Sequence, residues 1–386
     1  MTYLNVNIPS HCYTGELQKI DVDATGCDSV TMVVSMMSFV GLNPGLTEIF
    51  RSSYRVYNSG VTIYDLGSLL ETYMSNMNGV QCFHFAFSSG NASVEAESWV
   101  FCLRNRTPVI PAGSMVDDNF LTCNHNRVIR SVKAKEQLPF LVTATGSTTI
   151  PAQWYMFVQH VNGNYERFTA SEPVALVPGV GYLNCSLDYL LSGVFFGRIP
   201  GTSQVRMYSV TMGMRQAFFY VMPHEKVRTF AYRNPFGCIE YISVPAAENL
   251  RTETQKSTAS CGDDIIPYDI AHTRTYEEQT PVLMRDEMGR LEELFTSPQV
   301  FLVTTDNFGA VSGQPVIIDT YEFKNTDGVG EGNSAKFEWR FASQRFPVLD
   351  NTAGVVFDNF ERLCLDLLQL NTNNNALEES SEESAN

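Results

Sequence analysis

Positive charge and long apolar runs are both scarce in this sequence. Its 386 residues contain 26 Lys and Arg against 42 Asp and Glu, which gives a formal net charge of −16. Because nucleic acids and anionic membranes bind proteins through cationic surfaces, we predict neither as a partner. The longest apolar run, 30–42, has about 13 residues, whereas a membrane-spanning helix takes roughly 20. The basic stretch RVIRSVKAK at 127–135 alternates apolar and basic residues, as a solvated strand would.

Signals for secretion and for disulfide bonding are also missing. The first residues, MTYLNVNIPSHC, include neither the basic nor the apolar segment of a secretory signal. The nine cysteines are an odd number without a CxxC pair, and several lie in apolar, strand-like runs. We therefore expect reduced thiols that pack as small apolar groups, in a protein synthesised in a cytoplasm.

Motifs for catalysis and for metal binding are absent in turn. The chain has no GxSxG, HExxH or phosphate-binding loop, and no GxGxxG in an interpretable context. Cys123 and His125 form a CxH pair, but a structural zinc needs four ligands. The doublet at 263–264 lacks the Asx-rich pattern of a calcium loop. We therefore predict a protein that is not an enzyme and that holds no cofactor and no metal.

Strand-forming residues are what the sequence has in quantity. Hydrophobic residues make up 44% and aromatic residues 12% of the chain, while charged residues, at 18%, fall below the usual quarter. Short alternating runs are separated by Gly, Pro, Asn and Ser every 8 to 15 residues or so, which is typical of antiparallel β-sandwiches. The fold class predicted is mainly β.

An internal repeat divides the first part of the chain. Three pairs of similar segments recur in the same order at a spacing of about 120 residues. The pairs are 23–26 with 143–146, 64–70 with 185–191, and 98–102 with 216–220. We predict two tandem β-sandwich modules of immunoglobulin or fibronectin type III kind, at 1–107 and 108–224. The Leu-rich middle segments fit either a short helix or a crossover between sheets.

The rest of the chain does not repeat. Helical periodicity is clear at 284–296, where four apolar residues form one stripe on a charged helix between two prolines. Strand-like runs surround it, so we predict a β-rich α+β domain with one packed helix at 225–350. A polar run at 253–260 followed by an alternating run at 268–278 indicates a long hairpin. An amphipathic segment and an acidic tail complete the chain at 351–386.

Two groups of residues are candidates for assembly or structural roles. The first lies in a turn within TFAYRNPFGCIEYISV, 229–244, where Pro235 and Gly237 predict a corner between strands. Its candidates are Arg233, Asn234 and Phe236, which we expect to stabilise that corner. The second group lies on the apolar stripe of the C-terminal segment, a predicted helix that docks on a partner or on the third region. Its members are Phe357, Phe360, Leu363 and Leu367.

The segments YRNPFG, MRDEMGRLEELFTSPQVFL, PVIIDTYEFKN and NSAKFEWRFA together resemble a known group of proteins. They are similar, over 228–345, to poorly characterised virion or prophage structural proteins of gut Bacteroidetes viruses. The resemblance implies a bacteriophage tail- or baseplate-associated building block. Repeated β-sandwiches, acidic character and the lack of catalytic motifs agree with it and lead to the hypothesis of a virion tail or connector protein, made in the host cytoplasm, that assembles as a homo-oligomer and with other virion proteins. The resemblance implies no catalytic residues.

Two other functions fit a chain of β-sandwiches. One is a glycan- or receptor-binding protein that recognises the host surface, and the other is a bacterial surface adhesin, against which the missing signal peptide counts. Trp99 and Trp154 discriminate between assembly and glycan binding, since exposed indoles would serve as sugar platforms. We expect both to be core residues.

Overall fold

The computed structural model describes residues 2–40, 43–74, 79–103, 108–143, 148–261, 264–305, 311–324 and 332–342. Strands account for 60% of the structure and helices for 13%, so the predicted mainly β class is confirmed. The chain folds as two compact units. The first contains the residues up to 126 with 136–220 and 234–240, and the second contains 127–135, 221–233 and the described residues from Tyr241 onward.

The first copy of the repeat is a sandwich of a small and a large sheet. Its small sheet has the order β1-β3-β6 and its large sheet the order β2-β8-β7-β4-β5. Alternate residues of β3 are buried, and they share one core with alternate residues of β4 and β7. The elements are β1 (Tyr3–Val6), β2 (His11–Tyr13), β3 (Lys19–Thr25), β4 (Ser29–Val40), β5 (Asn43–Arg55), β6 (Gly60–Tyr64), α1 (Leu66–Met74), β7 (Val80–Ser89) and β8 (Ala92–Phe101).

The second copy repeats this plan. Its small sheet pairs β10 with β13, and its large sheet has the order β12-β11-β14-β15-β9. The Leu-rich segment is helical in both copies, which decides between the two structures that its spacing allowed. The elements are α2 (Ser114–Asp117), β9 (Asn126–Ile129), β10 (Gln137–Val142), β11 (Thr148–Gln159), β12 (Tyr165–Leu176), β13 (Gly179–Asn184), α3 (Leu187–Tyr189, followed by a wider helical turn, Leu190–Val194), β14 (Gln204–Met212) and β15 (Arg215–Val221).

The two copies pack on each other within the first unit. The outer face of the first copy's large sheet presents Trp99 and Phe101, and the ring of Phe39 stacks on Trp99 at a centroid distance of 5.7 Å. Leu141 of β10 and Tyr182 of β13 pack in the same apolar cluster. The small sheet of the second copy therefore covers the large sheet of the first.

The second unit is built on a seven-stranded sheet of order β17-β16-β20-β21-β22-β19-β18. One helix, α4, buries Leu291, Leu294 and Phe295 against this sheet. The helix begins within one residue of its predicted start and ends where predicted. The elements are β16 (Val227–Arg233), β17 (Ile239–Pro245), β18 (Ala247–Cys261), β19 (Asp264–Gln279), α4 (Arg285–Thr296), β20 (Val300–Thr305), β21 (Val311–Lys324) and β22 (Ser334–Phe341).

The basic stretch at 127–135 differs from its expected role. Arg127 and Arg130 are buried, so the solvated strand predicted there is wrong. The guanidinium of Arg130 donates to both carboxylate oxygens of Glu287, at 2.7 and 2.6 Å. The same carboxylate accepts the backbone N–H of Met284 at 2.9 Å and so caps α4. A partner distant in the sequence therefore neutralises a charge that local alternation assigns to solvent.

The structure leaves some of the predictions untested. The domain borders at 107/108 and 224/225 stay predictions, as does the immunoglobulin-like character of the modules. The amphipathic segment and the tail at 351–386 lie outside the described residues. The long hairpin predicted from 253–260 and 268–278 is confirmed as β18 and β19.

Candidate functional site

A two-stranded arm extends from the sheet of the second unit. Strands β18 and β19 pair along their whole length, from Ala247 opposite Gln279 to Cys261 opposite Asp264. Strand β19 pairs with β22 only at 276–279, however. The arm, 251–261 with 264–275, therefore continues beyond the sheet, and at about 3.4 Å per residue it is roughly 40 Å long.

Such an arm needs support that its own strands do not supply. A two-stranded ribbon is marginally stable in water, because it has no second layer against which to bury side chains. Within the described part of the chain, no further strand pairs with either edge of the arm. Both edges therefore offer backbone N–H and C=O groups to an added strand.

The base of the arm is held by one arginine. The guanidinium of Arg228, on β16, lies over the rings of Tyr276 and Trp339, at 5.6 and 5.3 Å from their centroids. It also forms ion pairs with Glu248 of β18 and Glu278 of β19, with Nε at 2.6 Å from Oε1 of Glu278. We call these five residues the root. The root joins both strands of the arm to β16, which is not their neighbour in the sheet, and to β22, which is the neighbour of β19.

Glu278 is the most deeply buried charge of the root. It is 1% exposed, and its Oε1 accepts the indole N–H of Trp339 at 2.8 Å. Burial raises the pKa of its carboxyl group, and the hydrogen bond from Trp339 and the charge of Arg228 act in the opposite direction. Its Oε2 is buried without a hydrogen-bond partner among the described residues. The ion pair with Arg228 and the hydrogen bond from Trp339 offset part of the free-energy cost of burying this carboxylate.

The predicted turn lies in the first unit, although the sequence analysis places it in the region 225–350, and it has a clear structural role. The side-chain Oδ1 of Asn234 accepts the backbone N–H groups of Phe236 and Cys238, each at 3.0 Å. Its Nδ2 donates to the backbone oxygen of Leu121 and to Glu240, each at 2.7 Å. Gly237 has φ of 71°, which closes the turn.

Phe236 enters the apolar cluster between the two copies, where it is 5% exposed. The turn comes so close to the start of β7 that a Cβ built on Gly79 would lie 2.5 Å from the carbonyl oxygen of Phe236. Asn234 and Phe236 therefore stabilise the first unit. Arg233 belongs to the second unit, where its Nε donates to the side chain of Gln299 at 2.6 Å.

The structure does not bring all the predicted residues into one site. Phe357, Phe360, Leu363 and Leu367 lie outside the described residues. Sequence reasoning missed the root, although one signal pointed to part of it. Successive strand residues face opposite sides of a sheet, so one carboxylate of the doublet at 277–278 had to face inward. Nothing local indicates that Arg228 is its partner.

No protein-family model and no curated protein matches this chain. Similar solved structures include the tail of an empty GTA particle, at 10% identity and a TM-score of 0.20, over 27% of this chain and 83% of that one. The calcium-binding domain CBD12 of CALX1.1 is similar at 11% identity and a TM-score of 0.13, over 55% and 80%. At such scores these likenesses carry no argument about function.

The described residues include neither a candidate membrane-spanning helix nor a candidate metal cluster. Among the described helices, none combines the length and the apolar character that crossing a bilayer requires. In the same part of the chain, no group of three or more His, Cys, Asp or Glu side chains is arranged to hold a metal ion.

Proposed function

We propose that this chain is a structural protein of a bacteriophage-type virion, a tail, baseplate or connector component that functions by assembly. Its partners are further copies of itself and other virion proteins. It catalyses no reaction, and it binds neither nucleic acid nor membrane.

The arm is the observation that carries the proposal. A ribbon of roughly 40 Å with two open edges is costly for a monomer to keep, because it is marginally stable and prone to strand addition. In an assembly, a neighbouring subunit supplies the missing layer or the missing strand, and the cost becomes binding free energy. The root supports this role, since it ties both strands of the arm to the sheet before a neighbour arrives.

The virion setting comes from the resemblance of 228–345 to phage structural proteins. Net charge agrees with it, because a chain of −16 has little attraction for DNA or for anionic lipid. Buried Arg127 and Arg130 remove part of the one basic stretch from the surface. Glycan or receptor binding remains the alternative function. Trp99 and Trp154 are both buried, which confirms them as core residues and removes them as sugar platforms.

A shortened arm tests the proposal. Residues 253–273 are replaced by Asn-Gly, which joins Thr252 to Arg274, two residues that face each other in the hairpin. Asn-Gly favours the two-residue turn that this connection requires. Light scattering and electron microscopy should show oligomers or rings for the full chain and monomers for the shortened one. At a concentration where the full chain is also monomeric, both proteins should unfold at similar temperatures, because the core of the second unit is unchanged.

A second shortened hairpin serves as the matched control. Replacement of 160–164 by Asn-Gly joins Gln159 to Tyr165, which also face each other, in the first unit. This variant should assemble as the full chain does. A full chain that stays monomeric at high concentration, with and without its virion neighbours, would contradict the proposal, and so would equal loss of assembly in both variants.

A further inference from the structure

A groove lies on the first copy of the repeat, at the side where β5 turns into β6. Its volume is about 640 Å³, which is within the usual range for small-molecule sites. Backbone and side chains of both polar and apolar residues form its walls. The lining residues are Asp21, Val22, Asp23, Ser53, Tyr54, Arg55, Tyr57, Gly60, Val61 and Thr62.

The floor and rim of the groove are set by a tight turn. Tyr57 and Gly60 exchange two backbone hydrogen bonds of 3.0 Å each. Between them, Asn58 and Ser59 take the left-handed conformation, with φ of 49° and 62°. Gly60 leaves the floor open, since it has no side chain, and the ring of Tyr57 stands at the rim with 70% of its surface exposed.

Charges in the groove are balanced. Asp21 accepts hydrogen bonds from Thr62 at 2.7 Å and from Lys19 at 2.9 Å, and these two contacts lower the pKa of its carboxyl group. Asp23 and Arg55 add one charge of each sign. Two carboxylates are thus matched by two cations, so the groove has no net charge with which to attract an ionic ligand.

The groove lies on the outward face of the small sheet of the first copy. In the second copy the corresponding face packs against another sheet. Asp21 faces Thr62 across β3 and β6, and the corresponding pair across β10 and β13 is Pro139 with Tyr182. Asp23 faces Gly60, and the corresponding pair is Leu141 with Val180. The second copy packs this apolar face against the large sheet of the first. In the first copy the same face is polar and open.

We propose that the groove binds a neutral oligosaccharide. Carboxylates, a guanidinium and hydroxyls supply both acceptors and donors, which is what a molecule covered with hydroxyl groups needs. An exposed phenol ring offers a flat apolar face to the C–H side of a sugar ring and a hydroxyl for hydrogen bonding. The absence of net charge favours a neutral sugar over an acidic one. The inference is independent of the arm, which belongs to the other unit.

Saturation-transfer NMR on the full chain tests the inference, with maltotriose, cellotriose and mannotriose as neutral probes and trigalacturonate as the acidic probe. At least one neutral trisaccharide should receive saturation from the wild-type protein. Tyr57→Ala should weaken that binding about tenfold, because it removes the stacking surface. Gly60→Val should weaken it at least as much, because the valine fills the floor. A Cβ at Gly60 meets only the carbonyl oxygen of Val22, at 3.4 Å, so the fold should tolerate the change.

Tyr64→Ala is the matched control. Tyr64 lies on the same strand as Gly60, is 66% exposed and does not line the groove, so binding should be unchanged. No transfer to any neutral probe at millimolar concentration would overturn the inference. Stronger binding of trigalacturonate would do the same, as would equal binding by the wild type and Tyr57→Ala. None of these outcomes depends on whether the chain assembles.

Discussion

The two copies of the repeat share their strand pairings except that of β1, which has no counterpart in the second copy, and they use the same sheet face in opposite ways. Around Asp23 the small sheet of the first copy is polar, exposed and hollow. Around Leu141 the small sheet of the second copy is apolar and buried in an interface. The pairing of backbones is therefore compatible with either outcome, and a few outward-facing side chains decide between them.

In the large sheets the exposure is reversed, since the outward face is buried in the first copy and more exposed in the second. Trp99 and Phe101 of the first copy are 8% and 0% exposed, because the second copy covers them. Phe218 and Tyr220 lie on the outward face of β15 in the second copy, and Tyr220 is 36% exposed. Each copy thus has one covered and one more open face. The two sandwiches therefore stack face to face within the first unit, with the small sheet of the second copy on the large sheet of the first.

The largest effect on the free energy of unfolding should come from placing a charged residue on the covered small sheet and an apolar residue on the exposed one. Leu141→Asp places an unpaired carboxylate in the interface and should cost about 3–5 kcal/mol of unfolding free energy. Asp23→Leu, the reciprocal change at the exposed position, should alter stability by about 0.5 kcal/mol or less. Urea denaturation measures both. Similar costs for the two variants would show that the two faces do not differ as described.

Removal of the Phe236 ring from the turn should have a somewhat smaller effect on the free energy of unfolding. Phe236→Ala leaves a cavity in the cluster between the copies and should cost about 3 kcal/mol. Phe196→Ala is the control, since Phe196 is 77% exposed, and it should change stability very little. Thermal unfolding followed by circular dichroism distinguishes the two. A turn that served only as a connection would give equal midpoints.

Thiol labelling should give the smallest and most local signal. Cys82 lies on the covered face of the first copy, and burial raises the pKa of its thiol to about 12. Near pH 8 very little of this thiol is then ionised, so alkylation should be very slow and should increase only at strongly alkaline pH. Exposed Cys123 is the internal reference. Mass spectrometry should find Cys123 alkylated before Cys82, and Leu141→Asp should make Cys82 reactive. Equal rates in the wild type would mean that the face is open.

Much of the fold follows from local patterns. Alternation and turn residues predict the strands, similar segments predict the repeat, and the apolar stripe near Leu291 predicts α4. These features are visible because they depend on neighbours in sequence. The hairpin of the arm was predictable for the same reason, although its extension past β22 was not.

Long-range partners account for what local patterns miss. All six residues of β10 are buried, so alternation does not show which of its faces meets the other copy. Turn residues are normally exposed, and the burial of Phe236 becomes visible only with β7 and β10 in place. Arg130 was assigned to solvent because its partner, Glu287, lies on a helix far along the chain. The groove likewise depends on the approach of β5 to the small sheet.

The return of 234–240 to the first unit has a consequence for the order of events during synthesis. The second copy of the repeat ends about ten residues before Asn234, and at about 5–20 residues per second this separation takes roughly 0.5–2 s to translate. Until these residues are made, the interface between the copies lacks the ring of Phe236 and the hydrogen bond from Asn234 to Leu121. The first unit is therefore completed only after translation of the second has begun, and a fragment that ends at 224 would lack part of its own core.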